Sequence, residues 1–404
     1  MAWSGPPSWG AEWFTRSMAR QPRKRGLNEP HDRSLGVLYK KLIRPILFSL
    51  DPEQAHGTVS ALLRTAARSP LICEMLDAVF SCRDDRLRTL VHGLDLPNPV
   101  GLAAGFDKDA EMIVSASALG FGFVEAGTFT PKPQAGHPKP RLVRLPGEEA
   151  LVNAMGFNNP GGEAAHRRLE QARAVFERHA RLRVPIGVNI GKGRETPLEE
   201  AGADYLDNFE RLYALADYFV LNVSSPNTPH LRRLESPAAL QFLLKRVQDR
   251  NREIAGRTGA KPKPVFVKIS PDLPEETLEE LARVLLSLEA GAVATNTASH
   301  AVKLPGGETL SGGLSGKPIF EASTRTIRVL TKASRKRLPI IGVGGVRSAA
   351  SAYAKIRAGA GAVQIYTGWI YEGPGLVKSI LKGLVDRLKA DGFQHIREAV
   401  GADL

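Results

Sequence analysis

Two cysteines, Cys73 and Cys82, are all that 404 residues contain. So few thiols exclude a disulfide framework, a structural zinc site and an iron–sulfur cluster, and point to a reducing compartment. None of the nine histidines stands in an HxH or HExxH pair, so no metal is expected at a catalytic centre. No run approaches the ~18 apolar residues of a spanning helix, and residues 1–20 lack the apolar stretch of a secretory signal. Acidic residues are also in deficit: 42 against 55 Lys and Arg leave a net charge of +13. Such a surface attracts nucleic acid, anionic lipid, or phosphorylated and carboxylated small molecules, and charge alone selects none of them. Core material is plentiful. A hydrophobic content of 43% excludes disorder as the dominant state.

The chain divides into three parts. Residues 1–36, rich in Gly, Pro, Ser and Arg around Arg23-Lys24-Arg25, have no apolar period and are expected to be a disordered basic tail. A start assigned upstream of Met18 and an Arg-containing mitochondrial presequence are alternative readings of that stretch. Residues 37–88 read as a small helical unit. Leu38, Leu42, Ile46 and Leu50 recur every four residues with Lys40, Lys41 and Arg44 between them. Pro45 should kink or restart this helix. Asp51-Pro52 marks a second helix start, followed by the stripe Val59, Leu62, Leu63 and Ala66. Periodicity favours a packed appendage and leaves a membrane-surface element open.

Residues 89–404 change character. Short apolar runs end in small or polar residues at 99–105, 121–127, 184–190, 218–223, 265–269, 292–295, 339–343 and 362–366. Amphipathic stretches separate most of them. Continuous apolar runs alternating with helices indicate parallel strands buried on both faces. Eight units predict an α/β fold, a (β/α)8 TIM barrel preceded by the small N-terminal helical unit. Residues 141–145 and 151–154 should form a hairpin over the barrel mouth.

Barrel enzymes carry their chemistry at the C-terminal strand ends. Here those ends hold Asp107-Lys108, Thr128, Asn189, Asn222 with Ser224-Ser225, Lys268, Thr295-Asn296-Thr297, Gly344-Gly345 and Tyr366-Thr367. Three asparagines and two lysines converging on one mouth suit a polar ligand that needs many contacts. The glycines after the seventh run, with Tyr366-Thr367-Gly368 after the eighth, form the usual barrel phosphate site. GxGxxG is not met, because Arg347 takes the last glycine position. Lys268 interrupts an apolar strand, and burying it is costly unless an anion meets it. A Schiff-base lysine and a partner for an electron-rich cofactor ring are both open.

The runs GLAAGFDKDAE at 101–111, EAGTFTPKPQ at 125–134, NAMGFNNPG at 153–161, VNIGK at 188–192, NVSSPNTP at 222–229, ATNT at 294–297, GGLSG at 312–316, GVGG at 342–345 and VQIYTG at 363–368 resemble the dihydroorotate dehydrogenases. The resemblance extends in order from about residue 39 to 388 and is to the membrane-associated, quinone-dependent class. Serine at 225, with no cysteine in the barrel, separates it from the cytosolic class, which uses a cysteine base. The segment 39–66, including His56, is similar to the class's quinone-tunnel unit, and that resemblance displaces the packed-appendage reading.

The resemblance implies oxidation of dihydroorotate to orotate in pyrimidine biosynthesis, with one FMN as hydride acceptor and a membrane quinone as final acceptor. Ser225 is then the base and Thr228 a relay partner. Matching FMN contacts are Ala104, Gly105, Lys108, Thr128, Asn189, Asn222, Lys268, Thr295, Gly316, Gly345, Tyr366 and Thr367. Substrate contacts are Lys108, Asn153, Ala154, Met155, Gly156, Phe157, Asn222, Asn227, Asn296 and Thr297. Ala154 stands where many members of the class have arginine, whereas Arg144 matches their tunnel arginine. The implied protein is a monomer on an anionic membrane surface, at the cytoplasmic face of a bacterial inner membrane or, alternatively, at the mitochondrial inner membrane. Nucleic acid is not an expected partner. An RNA-modifying flavin barrel such as a dihydrouridine synthase is the alternative, and it lacks the catalytic cysteine that chemistry uses.

Overall fold

The computed structural model describes residues 33–304 and 306–404; the expectations for residues 1–32 lie outside them. Eight parallel strands close into a barrel: β1 (Val100–Leu102), β2 (Phe123–Phe129), β3 (Ile186–Ile190), β4 (Tyr218–Asn222), β5 (Val265–Ile269), β6 (Gly291–Ala294), β7 (Ile340–Val343) and β8 (Ala362–Ile365). Each pairs with its sequence neighbours, and β8 closes on β1 through Val363↔Val100. The continuous apolar runs therefore became strands covered on both faces, as their composition required.

The barrel interior alternates glycine with large rings. A Cβ on Gly101 would meet the Phe123 ring, one on Gly187 the Tyr218 ring, and one on Gly291 the Phe266 ring. These glycines vacate the space that the three aromatics fill. Each ring buries on the order of 200 Å², or about 5 kcal/mol of transfer free energy. Below them a hairpin, Thr89–Val91 paired with Leu94–Leu96, packs Val91, Leu94 and Leu96 into the same cluster. That hairpin stoppers the N-terminal end of the barrel, leaving the other end for ligands.

Over the C-terminal mouth lies a four-stranded antiparallel sheet. Leu142–Leu145 and Ala150–Asn153 form the expected hairpin. A second hairpin, Ala298–Lys303 with Thr309–Gly316, was not expected from sequence and completes the sheet by pairing Gly313 with Asn153. Both hairpins are inserted after barrel strands, β2 and β6.

The helical unit precedes the barrel. Arg33–Leu38 is helical, so residues 33–36, expected in the tail, are helical among the described residues. The interruption near Pro45 is a π-helical stretch, Tyr39–Ile43, from which an α-helix restarts at Arg44 with Pro45 in its first turn. α1 (Pro52–Ala67) follows, its N-terminus capped by the Asp51 carboxylate, which accepts from the Glu53 and Gln54 N–H groups. α2 (Pro70–Phe80) then seats Cys73 and Asp77 against the barrel. The stripe Leu38, Leu42, Ile46 and Leu50 faces outward, from 38% to 67% exposed. Apart from Leu90 and Phe242, every exposed large apolar side chain among the described residues falls between Val37 and Val79. Polar clamps hold the unit to the barrel: Tyr39 Oη donates to the Ile370 carbonyl at 2.6 Å, and Arg44 to that of Tyr371 at 3.1 Å. No helix among the described residues is long and apolar enough to cross a membrane.

Candidate active site

A cleft lies between barrel mouth and lid sheet. Its lining includes Ala104, Gly105, Lys108, Thr128, Asn153, Met155, Phe157, Asn222, Ser225, Asn227, Lys268, Thr295, Asn296, Thr297, Gly316, Gly345, Tyr366 and Thr367. Nearly all the residues expected from sequence are thus gathered in one place. Asn189 lies just beneath, fully buried. Ala154 and Gly156 do not join the lining. Ala154 uses its N–H on the Arg141 carbonyl, and Gly156, at φ +68° against the His137 ring, borders a neighbouring surface cleft. Met155 points inward between them, and the chain turns through left-handed conformations at Gly156 and Phe157, φ +68° and +53°, rather than running extended.

Polar side chains form a continuous ladder up the mouth. At the bottom Glu125, fully buried on β2, accepts from Gln364 Nε2 at 2.5 Å and from Asn189 Nδ2 at 2.7 Å. Asn189 Oδ1 accepts from Thr128 Oγ1 at 2.5 Å, and Asn222 Nδ2 donates to that threonine oxygen at 2.9 Å. Asn296 Nδ2 reaches Asn222 Oδ1 at 3.1 Å and Ser224 Oγ at 2.9 Å. On the lid side Asn227 Nδ2 donates to Asn153 Oδ1 at 3.1 Å, and Asn153 Nδ2 donates to the Gly313 carbonyl at 3.1 Å. Each amide therefore has its orientation fixed by a neighbour, which is what a site must do to present chosen donors and acceptors. Ser225, 6% exposed, lies between the two asparagine groups with its Oγ accepting from the Asn227 N–H at 3.3 Å. Thr228, expected as a relay partner, makes no hydrogen bond to it.

Charge in the cleft has one sign. No carboxylate lines it among the described residues, while Lys108 and Lys268 do. Burial lowers the Lys108 pKa to about 8, with Asp109 and Glu53 partly opposing the shift. Burial also lowers that of Lys268, opposed by the Glu125 charge below it. At the opposite wall Gly316, Gly344 and Gly345 take φ of +100°, +111° and +73°, left-handed conformations that side chains disfavour. Thr367 Oγ1 meets Ser315 Oγ there at 2.8 Å. Bare N–H groups and hydroxyls over a strand end make an anion cradle.

Sequence reasoning missed Gln364 and Glu125. Both interrupt apolar strands, VQI on β8 and VEA on β2, the same signal that singled out Lys268. Between helical unit and mouth runs an aromatic series: the Phe106 ring lies edge-on to His56 at 5.1 Å, to Tyr366 at 5.7 Å and to Trp369 at 4.9 Å. His56 is held neutral by burial and by the Lys108 charge, its pKa pushed down to about 3. Arg144 bonds the Leu47 and Leu50 carbonyls and covers the Phe48 ring at 4.7 Å, so it ties the lid to the helical unit.

Fold and site together define a class, a (β/α)8 barrel with a polar, carboxylate-free cleft at its C-terminal mouth under a β-sheet lid. Residues 86–388 match the family model for dihydroorotate dehydrogenase, and the chain belongs to that family. A relative named dihydroorotate dehydrogenase (quinone) from Gloeobacter violaceus is 46% identical over 89% of this chain and 98% of its own. Another of the same name, from Christiangramia forsetii, is 46% identical over 87% of this chain and 99% of its own. The crystal structure of a DHODH from Eimeria tenella in complex with ferulenol aligns with a TM-score of 0.79 at 35% identity, covering 89% of this chain and 98% of that one.

Proposed function

We propose that this chain oxidises dihydroorotate to orotate, with FMN as the hydride acceptor and a membrane quinone as the final electron acceptor. The observation that carries the reading is the meeting, in one carboxylate-free cleft, of Ser225, five asparagines and the glycine cradle. The cleft fits FMN by its donor set. Gln364 Oε1 is a buried acceptor without a partner, suited to a ring N–H. Lys268 is a buried cation suited to an electron-rich ring, and the glycines at 316, 344 and 345 suit a phosphate. Bound FMN supplies a two-electron acceptor.

The chain's own residues do the rest. Lys108 neutralises the substrate carboxylate. Asn153, Asn222, Asn227, Asn296 and Thr297 hydrogen-bond the pyrimidine edge, each amide offering a donor and an acceptor. Ser225 Oγ takes the C5 proton as the C6 hydride leaves. An alcohol is a weak base, so burial under the lid and the Asn227 N–H that fixes Oγ matter to its work. The helical unit admits the quinone along the His56–Phe106 side from an anionic membrane surface, and the protein acts there as a monomer on the cytoplasmic face. Nucleic acid is not a partner. Anaerobic addition of dihydroorotate should bleach a yellow protein, and a quinone should restore the colour. Protein that carries FMN and is not bleached would overturn this reading.

A further inference from the structure

Lys355 is a fully buried lysine that the reaction does not use. It belongs to the helix Ala349–Arg357, which follows β7. Its stem packs on β7, where a Cβ at Gly342 would lie 3.4 Å from Lys355 Cδ. Its ammonium donates to Ser323 Oγ at 2.8 Å and Thr324 Oγ1 at 3.2 Å, and stands 4.9 Å from the centre of the Phe320 ring. These three residues lie at the start of the helix Phe320–Ala333.

That placement is costly. Two hydroxyls and a ring stand in for water, and no carboxylate among the described residues lies within ion-pairing distance. Burial accordingly lowers the lysine pKa to about 7, with Glu321 opposing the shift and Arg328 adding to it. A buried cation persists where something anionic offsets it. The cradle is next door. Ser323 Oγ donates to the Val343 carbonyl at the end of β7. Ser323 Cβ is 3.0 Å from the Cβ position of Gly344, and Phe320 Cβ 2.6 Å from that of Gly345. The lysine's contacts are thus the rear wall of the anion cradle.

We infer that Lys355 is a positioning residue whose charge, held behind the Gly344-Gly345 cradle by Ser323 and Thr324, selects a phosphorylated flavin over an unphosphorylated one. The inference rests on the proposed flavin site. A ring held by the asparagine and Lys268 side of the cleft would bind with or without its phosphate. The buried cation adds attraction only for the phosphate, and in a low-dielectric setting one such charge is worth at least about tenfold in affinity.

The test equilibrates the purified holoenzyme with excess equimolar FMN and riboflavin, removes free flavin, and quantifies each bound flavin by chromatography. Lys355→Met, which keeps the stem and removes the charge, should lower the bound FMN-to-riboflavin ratio at least about tenfold while leaving riboflavin uptake unchanged. Lys355→Arg should restore most of the ratio. A purely structural lysine would lower uptake of both flavins together, and that result, or an unchanged ratio, would overturn the inference. If Lys355→Met does not fold, Thr324→Asp keeps the lysine and cancels its charge; the ratio must then fall in the same way, and an unchanged ratio sinks the idea. Wild-type protein that takes up neither flavin would remove the flavin site itself, and this inference with it.

Discussion

Ser225 and Lys268 divide the chemistry between a proton and a pair of electrons, so their loss should be told apart by different measurements. Ser225→Ala should keep its flavin and lose at least about 100-fold in turnover, recovering little at high pH; stopped-flow reduction with dihydroorotate reads this directly, and near-normal rates would place the base elsewhere. Lys268→Ala should instead carry less flavin or reduce it slowly. Lys108 gives a pH signature. Burial brings its pKa to about 8, so it is cationic below that pH and neutral above it. kcat/KM for dihydroorotate should therefore fall as pH rises past about 8, well before an ordinary lysine titrates. Lys108→Met should show a low, flat profile over that range, and an unaltered falling limb in that variant would assign the limb to another group. At this scale the sequence was most informative where a polar residue broke an apolar strand. Lys268 was legible for that reason, and Gln364 and Glu125 carried the same mark. Nothing local distinguished Met155, which lines the cleft, from Ala154 and Gly156, which do not. Which way such a loop faces depends on what it packs against.

The elements were legible in proportion to their burial. All eight barrel strands are covered on both faces and read as apolar runs. The hairpin Ala298–Lys303 with Thr309–Gly316 is half exposed, and glycines at 312, 313 and 316 erase the alternation that announces a strand. It is held by what it meets: at Gly313 a Cβ would strike Thr297 Oγ1. The lid is also tied to α1. Arg141, 9% exposed, donates to Glu53 Oε1 at 3.0 Å and to the carbonyls of Ala135 and His137 at 2.6 and 2.8 Å. Arg141→Ala would leave the partly buried Glu53 carboxylate with only the exposed Lys139, at 3.5 Å, and would strand two carbonyls. It should cost about 2–4 kcal/mol of stability and raise KM for dihydroorotate more than it lowers kcat. Denaturant titration beside steady-state kinetics checks both, and a variant as stable as its parent would show the clamp to be dispensable.

For the whole molecule, the outward stripe on the helical unit is the feature that composition could not assign. Its leucines recur at helical spacing whether they meet a barrel or a bilayer, and only the tertiary arrangement decides. Ile46 and Met75, 67% and 63% exposed, are free of the barrel, so Ile46→Glu with Met75→Glu should leave folding and turnover with a small soluble acceptor intact. The double variant should lose sedimentation with anionic vesicles and slow with a long-chain quinone. Unchanged vesicle binding would move the contact to another face. Excising the whole unit is a poorer test, because Cys73 is fully buried in the barrel's own core cluster.

The stoppered end of the barrel has a practical consequence. Lys336, in the turn that feeds β7 from below, donates to the Leu404 and Gly401 carbonyls, which puts the C-terminus on the same side as the closing hairpin and opposite the lid. A chip or electrode gripping this protein at Leu404 would therefore hold it upright, with the cleft facing the bulk liquid.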